Sequence, residues 1–172
     1  MGAGKTSVGR EVASRLGWRL SDSDEEIQKA TGKSVRELAV DPGVEAMHEL
    51  ESQHVLKALG EDQASVICAA ASVIDDARCR EALVTPTVIA VWLRATPATL
   101  ANRFRSAGHR PAYGDDPETF LAQQSAARSA LFEKVSDATI DVDDLGIAAV
   151  ADAVCTLLDQ SKSGRRQSSP ST

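Results

Sequence analysis

The sequence predicts a three-layer α/β fold, a short parallel sheet flanked by helices, from three observations. Segments with helical apolar spacing alternate with short apolar segments, which is typical of parallel strands joined by crossover helices. One short segment, VIAVWL at 88–93, is continuously apolar, as in a central parallel strand covered on both faces. A glycine-containing turn at 2–7 leads directly into an amphipathic helix.

The amino-terminal half begins with the clearest helix of the chain. Val8, Val12 and Leu16 recur at four-residue spacing, and Gly17 supplies the residue that ends such a helix. The elements predicted after it are a short strand at 18–20, helices at 24–30, 34–40 and 44–59, a turn at 41–43, and a buried strand at 64–69.

The carboxyl-terminal half continues the alternation. Pro97 suits the first turn of a helix, and 107–117 carries glycine and proline and is predicted to be flexible. The predicted elements are a helix between the strands, the strand at 88–93, helices at 97–105 and 117–135, a strand at 138–142 and a helix at 147–159. Residues 161–172 are polar and are predicted to form a disordered tail.

The turn at the start of the chain has the chemistry of a phosphate-binding loop. Gly4, Lys5 and Thr6 match the end of the pattern G-x-x-x-x-G-K-[ST]. The backbone amides and the helix N-terminus that follow can cradle phosphate oxygens, and the lysine reaches the β- and γ-phosphates. A threonine in this position ligates Mg²⁺. The nucleotide-binding set predicted from the loop is Gly2, Ala3, Gly4, Lys5, Thr6 and Ser7.

Composition excludes several other classes of partner. The net charge is −6 and the pI is about 5.1, which disfavours a surface for nucleic acid or anionic membrane. The three cysteines Cys68, Cys79 and Cys155 are scattered and form no metal or disulfide pattern. No apolar run is long enough to cross a membrane. We therefore expect a monomer in the cytoplasm that acts on a small molecule.

Four stretches together resemble the shikimate kinase family of P-loop kinases. They are MGAGKTSVGREVASRLG, the D-x-D of SDSDEEI, the helix GVEAMHELE, and HRPAYGDD followed by ARSALFEKVSD. The resemblance covers about residues 1–158. It implies a kinase domain over 1–160, with substrate-binding helices at about 24–60 and a lid at about 106–117. It also implies transfer of the γ-phosphoryl group of Mg²⁺-ATP to a hydroxyl of shikimate or a close analogue.

The resemblance assigns roles residue by residue. Lys5, Asp24 and Arg110 match catalytic positions, with Asp24 binding the acceptor hydroxyls and Arg110 closing over the γ-phosphate. Thr6 and Asp22 match the metal site, where Asp22 acts through water. Arg103 matches an arginine that stacks on adenine, and Arg128 matches one that grips the acceptor carboxylate. The acceptor-binding set that the resemblance implies is Asp24, His48, Ala70, Ala71 and Arg128.

Simpler structural roles remain open for several of these residues. An aspartate before a helix is often only its N-cap, so Asp22 and Asp24 have that alternative. Arg110 has the alternative of a solvated loop arginine. For Arg128 the alternative is an ion pair on the helix surface.

The chain departs from the family on the acceptor side. His48 stands where the family has a second carboxylate-binding arginine, and it is shorter and largely neutral at pH 7. Ala70-Ala71-Ser72 stands where the family has three glycines, whose backbone approaches the substrate closely. The alternatives are therefore a nucleotide-binding relative with another acceptor or without efficient shikimate turnover, and a non-catalytic interaction domain.

The first glycine of the loop pattern and the strand that feeds it are absent ahead of Gly2. In this fold that strand is central to the sheet. We therefore expect Met1 to be an internal methionine of a longer native protein.

Overall fold

The computed structural model describes residues 2–106 and 116–167. Helices and strands alternate along the chain, and the strands are four residues long. In chain order the elements are α1 Lys5–Leu16, β1 Arg19–Asp22, α2 Ser23–Thr31, α3 Val35–Leu38, a wide turn Ala39–Gly43, α4 Val44–Leu59, β2 Ser65–Cys68, a 3-10 segment Ala71–Asp75, α5 Ala77–Leu83, β3 Val91–Arg94, α6 Pro97–Ser106, α7 Pro117–Val135, β4 Ala138–Asp141 and α8 Ile147–Gln167.

Most predicted elements are present, with shifted ends. The helices predicted at 44–59 and 117–135 have the predicted bounds. The strand predicted at 88–93 is narrower and later, at Val91–Arg94. The last helix continues beyond the predicted end at Asp159 as far as Gln167, so the first part of the predicted tail is helical. Residues 168–172 lie outside the described part of the chain.

Helix α1 is fixed by its ends and by one tightly packed glycine. Gly17 ends the helix in the left-handed region, with φ of 65°. A Cβ on Gly9 would lie 2.3 Å from the Cys68 sulfur, so only glycine lets α1 approach β2 this closely. Val8 and Val12 lie on the buried side of the helix and join the main core, which also contains Val142 and Val150.

The strands form two separate parallel pairs. β1 pairs with β2, with Arg19 opposite Ser65 and Asp22 opposite Cys68. β3 pairs with β4, with Val91 opposite Ala138 and Arg94 opposite Asp141. The α/β class, the flanking helices and the short parallel strands are confirmed. The predicted sheet, which lacks its central strand, is present as two pairs, because β2 and β3 do not pair with each other.

An apolar groove separates the two pairs of strands. It has a volume of about 1540 Å³, and its walls include Val66 and Ile67 of β2 and Trp92 and Leu93 of β3. This volume exceeds the range of roughly 300–1,000 Å³ usual for small-molecule pockets. Because strand residues line it, we attribute most of the groove to the space between the sheets. Lys5, His48 and Arg128 are also among the residues that line the groove.

The remaining helices build a second core beside β2. Val55 of α4, Val73 of the 3-10 segment and Cys79 of α5 are its buried centre. Ser34 and Glu37 form a reciprocal capping box that starts α3. Within residues 2–106 and 116–167, no helix is both long and apolar enough to cross a membrane.

Candidate active site

The loop before α1 has the backbone of a phosphate cradle. Gly2 and Gly4 have φ angles of 75° and 85°, which side chains strongly disfavour. Gly4 occupies the N-cap position, where it supplies no side chain to bind the free amides of the first turn. No acidic residue lies in that turn. The helix therefore presents uncapped N–H groups and a positive dipole end, which suits an anion.

The two residues predicted to hold the metal contact each other. The Thr6 hydroxyl donates to Oδ2 of Asp22 over 2.7 Å. Oδ1 of the same carboxylate accepts from the backbone N–H groups of Asp24, at 3.1 Å, and Glu25, at 3.5 Å. Asp22 is thus the N-cap of α2, while its other oxygen faces the loop. The simpler role and the proposed metal-site role use different oxygens of one side chain.

This pair fits Mg²⁺ better than a metal that requires a complete set of protein ligands. No group of three His, Cys, Asp or Glu side chains suited to a metal occurs in the described part of the chain. Mg²⁺ keeps several waters and is usually bound through one or two side chains together with nucleotide phosphates. A hydroxyl and a carboxylate beside a phosphate-binding helix end match that requirement.

Asp24 begins the acceptor side of the site. It lies exposed in the first turn of α2, directly after β1. Glu51 of α4 is only 5% exposed and accepts a hydrogen bond from the Ser72 hydroxyl. Burial raises the pKa of Glu51, the Ser72 hydrogen bond opposes this, and the charge on Asp24 adds to it. The positive charges of Lys5 and Arg128 also act on this carboxyl, so the side chains share one region.

Arg128 lies in this region but is already paired. Its Nε donates to both carboxylate oxygens of Asp75, at 3.1 and 3.0 Å, and its Nη2 donates to Oδ2 at 2.5 Å. The Arg128 side chain is 17% exposed and that of Asp75 is 46% exposed. The ion-pair alternative is therefore present, but it joins α7 to the 3-10 segment across the site.

His48 stands beside this ion pair. Burial lowers the pKa of His48, the Arg128 charge lowers it further, and the Asp75 charge opposes both. The imidazole is therefore neutral at pH 7 and contributes no fixed positive charge. Arg128 therefore supplies a fixed positive charge beside His48, and Arg36 of α3 is a second arginine that lines the same groove.

The alanines that replace glycines fit their backbone without strain. Ala70 has φ of −64° and ψ of 152°, and no described non-glycine residue has a positive φ. Both Ala70 and Ala71 line the groove. The departure from glycine therefore requires no unfavourable φ, and its effect is limited to the volume of two methyl groups.

Two predicted arginines have different outcomes. The Arg103 guanidinium donates to the carbonyls of Gly2, at 3.2 Å, and Val142, at 3.0 Å. It thereby joins the phosphate loop to the end of β4, and its stacking on adenine stays a prediction. Arg110 and nearly all of the predicted lid lie outside the described residues.

Sequence reasoning missed Asp75, the contact between Ser72 and Glu51, and a part-buried pair formed by Ser21 and His54. The Ser21 hydroxyl lies 2.9 Å from His54 Nε2, and the buried Nδ1 of that ring has no partner. Asp75 is 53 residues away from Arg128 in the chain. No local motif marks such a pair, because only the packing of α7 against the 3-10 segment brings the two groups together.

Known proteins resemble this chain both in sequence and in structure. A family model described as shikimate kinase matches residues 1–159. The shikimate kinase of Caulobacter vibrioides is 30% identical over 161 residues, covering 93% of this chain and 79% of that protein. The enzyme of the same name from Corynebacterium efficiens is 37% identical over 136 residues, covering 78% of each chain.

Solved structures agree with this result. A shikimate kinase from Acinetobacter baumannii in complex with shikimate matches with a TM-score of 0.87 and 28% identity, covering 94% of this chain and 90% of that one. One from Bacteroides thetaiotaomicron, at 23% identity and a TM-score of 0.79, covers 92% of this chain and 94% of its own and supports the fold alone. From the phosphate loop, the Thr6–Asp22 pair and these matches, we conclude that the chain belongs to the shikimate kinase family.

Proposed function

We propose that this chain transfers the γ-phosphoryl group of ATP to a hydroxyl of shikimate. The hydrogen bond between Thr6 and Asp22 carries the proposal, because it joins the phosphate-binding helix end to the strand that leads to Asp24. Phosphoryl transfer needs phosphate binding, a metal position and an acceptor position in this arrangement. ATP supplies the phosphoryl group, and Mg²⁺ neutralises charge on its phosphates.

Each residue on the nucleotide side has a defined task. The amides at the start of α1 hold phosphate oxygens, and Lys5 stabilises the negative charge that develops on the transferred group. Thr6 and Asp22 would hold Mg²⁺, which would supply positive charge to the phosphates. Placing the side chains before binding avoids reorganisation during the reaction.

The acceptor side positions the hydroxyl and recognises the carboxylate. Asp24 accepts the proton that the attacking hydroxyl loses, since it lies exposed at the start of α2 beside the metal pair. Arg128 provides the planar fork that fits a carboxylate. The resemblance to a structure that contains shikimate supports this choice of acceptor.

We infer a monomer that acts in the cytoplasm. The free cysteines Cys68 and Cys79 are buried, and burial raises the pKa of the Cys68 thiol to about 12. Stable protonated thiols suit a reducing compartment. Light scattering coupled to gel filtration tests the monomer, and a mass near twice 18.2 kDa would contradict it.

The proposed function is tested by measuring ADP release with ATP, Mg²⁺ and shikimate, and by identifying the phosphorylated product by mass. Lys5→Ala should lower kcat by about 10²- to 10³-fold, since it removes one electrostatic stabiliser of the transition state. Lys29→Ala is the control, because Lys29 is exposed and forms an ion pair with Glu26 on the same helix. The proposal is rejected if the parent protein releases no ADP in response to shikimate.

A further inference from the structure

The Arg128 guanidinium has two of its three nitrogens bonded to a carboxylate of the protein itself. Nε and Nη2 both donate to Asp75, in the side-by-side geometry with which an arginine binds a carboxylate ligand. An acceptor carboxylate bound in this same side-by-side geometry would need these N–H groups, whereas Asp75 uses neither N–H of Nη1. Asp75 therefore occupies the side-by-side face of the guanidinium and offsets part of its positive charge.

His48, Glu51 and Asp24 do not compensate for this occupation, so Arg36 of α3 is the other fixed cation of the substrate-binding helices that lines the groove. His48 is half-buried, and burial together with Arg128 lowers its pKa, so it remains neutral. Glu51 and Asp24 add negative charge to the region and repel a second carboxylate. The exposed face of Asp75, 46% of its side chain, allows the carboxylate to swing into solvent when it releases Arg128.

We propose that Asp75 is a specificity-determining residue that competes with the acceptor carboxylate for Arg128. The inference rests on the proposed function and deepens it. Binding of a carboxylate acceptor exchanges one Arg128 ion pair for another, so the net gain from that contact is small. A neutral ester of the acceptor leaves the Asp75–Arg128 pair intact. Its binding affinity is therefore little lower than that of the carboxylate acceptor. The chain therefore discriminates weakly between a carboxylate acceptor and its neutral analogue.

The test compares shikimate with its methyl ester, which has the same hydroxyls and no negative charge. Dissociation constants are measured by calorimetry, and KM and kcat are measured with both acceptors. The variants are Asp75→Asn and Asp75→Ser, which remove the charge, and Asp75→Glu, which retains it. Asp152→Asn is the matched control, because it breaks an exposed aspartate–arginine pair with Arg15 on α8 and α1.

Removing the Asp75 charge should tighten shikimate binding about three- to tenfold, the effect of freeing a charge-assisted hydrogen-bonding group at a partly exposed site. KM for shikimate should fall by the same factor, with kcat and KM for ATP unchanged. The methyl ester constants should change less than twofold. Asp75→Glu and Asp152→Asn should both resemble the parent.

Other outcomes contradict the inference. The inference is overturned if shikimate affinity is unchanged in both neutral variants, or if the affinities for shikimate and its methyl ester change equally. It is also overturned if neither the parent nor the neutral variants bind shikimate. Tighter shikimate binding without any phosphoryl transfer supports the role of Asp75 and rejects the proposed function instead. Thermal unfolding of each variant identifies any loss of fold, and two neutral variants of different size keep the comparison valid.

Discussion

At the scale of single residues, one carboxylate shows how an N-cap role and the proposed metal-site role can combine. Asp22 is 5% exposed, caps α2 with Oδ1, and contacts the Thr6 hydroxyl with Oδ2. The hydrogen bonds of the cap fix the Asp22 rotamer, so that Oδ2 points at the phosphate loop. A buried capping residue is therefore a sensible place for a metal-site group.

Asp24→Asn should lower kcat by about 10²- to 10⁴-fold, the usual contribution of a general base. ATP affinity should change little, because the nucleotide contacts come from the loop and α1. Steady-state kinetics and nucleotide binding measure the two effects separately. Glu25→Gln is the neighbouring control, since Glu25 is exposed and paired with Arg10. Equal losses of kcat and ATP affinity would move Asp24 into the metal site.

His48→Arg should lower KM for shikimate about tenfold or more, the value of one charge-assisted hydrogen bond to a carboxylate. The new guanidinium would stand beside Arg128 and supply the charge that the neutral imidazole lacks. His48→Lys should gain less, because an ammonium cannot bind a carboxylate with two parallel bonds. A KM for shikimate that stays constant or rises in His48→Arg would show that His48 does not limit binding.

At the scale of elements, the contact between α1 and β2 depends on one missing side chain. Gly9 faces the Cys68 sulfur, whose thiol also donates to the Lys5 carbonyl over 3.3 Å. This contact holds the phosphate-binding end of α1 at a fixed height above β2. The position of Lys5 therefore depends on packing several residues away.

Gly9→Ala should lower the free energy of unfolding by about 1–3 kcal/mol, the usual cost of overpacking a core contact. The new Cβ would lie 2.3 Å from Cys68 Sγ and 3.3 Å from a methyl of Leu20. Denaturant unfolding measures the loss. Cys68→Ala in the same chain should recover most of it by removing the sulfur. Gly146→Ala is the control, because its Cβ would meet nothing within 4 Å. Equal effects in both glycine variants would refute the packing explanation.

At the scale of the whole molecule, the apolar groove between β2 and β3 is a place where the free energy of unfolding can be raised. Two-stranded ribbons are marginal alone, and here helix packing around Val12 and Val150 joins the two halves. Each backbone group left without a partner along a buried strand costs about 1–3 kcal/mol. Ala3 of the phosphate loop lines the groove, so this loop lies at its wall.

A designed extension ahead of Gly2 that forms a strand should therefore stabilise the protein. A dozen added residues with an apolar stretch about five or six long, the usual strand length, should pair with both edges. We expect a rise in Tm of about 5–10 °C, from a gain of a few kcal/mol. The control extension has the same length and composition with proline at alternate strand positions. An equal Tm for the two extensions would contradict strand insertion.

The sequence alone determined much of the local structure and predicted the phosphate-loop chemistry of the site. Helix α1 and its C-cap follow from apolar spacing and Gly17, and the loop chemistry follows from Gly4, Lys5 and Thr6, because both depend on residues adjacent in the chain. The bounds of α4 and α7 were likewise predicted from the sequence. The pairing of strands was not, since it depends on backbone partners far apart in sequence.

Only the tertiary structure decided how the acceptor half is arranged. Asp75 and Arg128 meet because α7 packs on the 3-10 segment, and Glu51 meets Ser72 through a contact between α4 and that segment. The motif marked Arg128 as a carboxylate-binding residue and left an ion pair open as the alternative, and the fold supplies Asp75 as its counter-ion. Charge neutralisation and burial are properties of three-dimensional neighbours, and a pattern of residues along the chain carries no record of them.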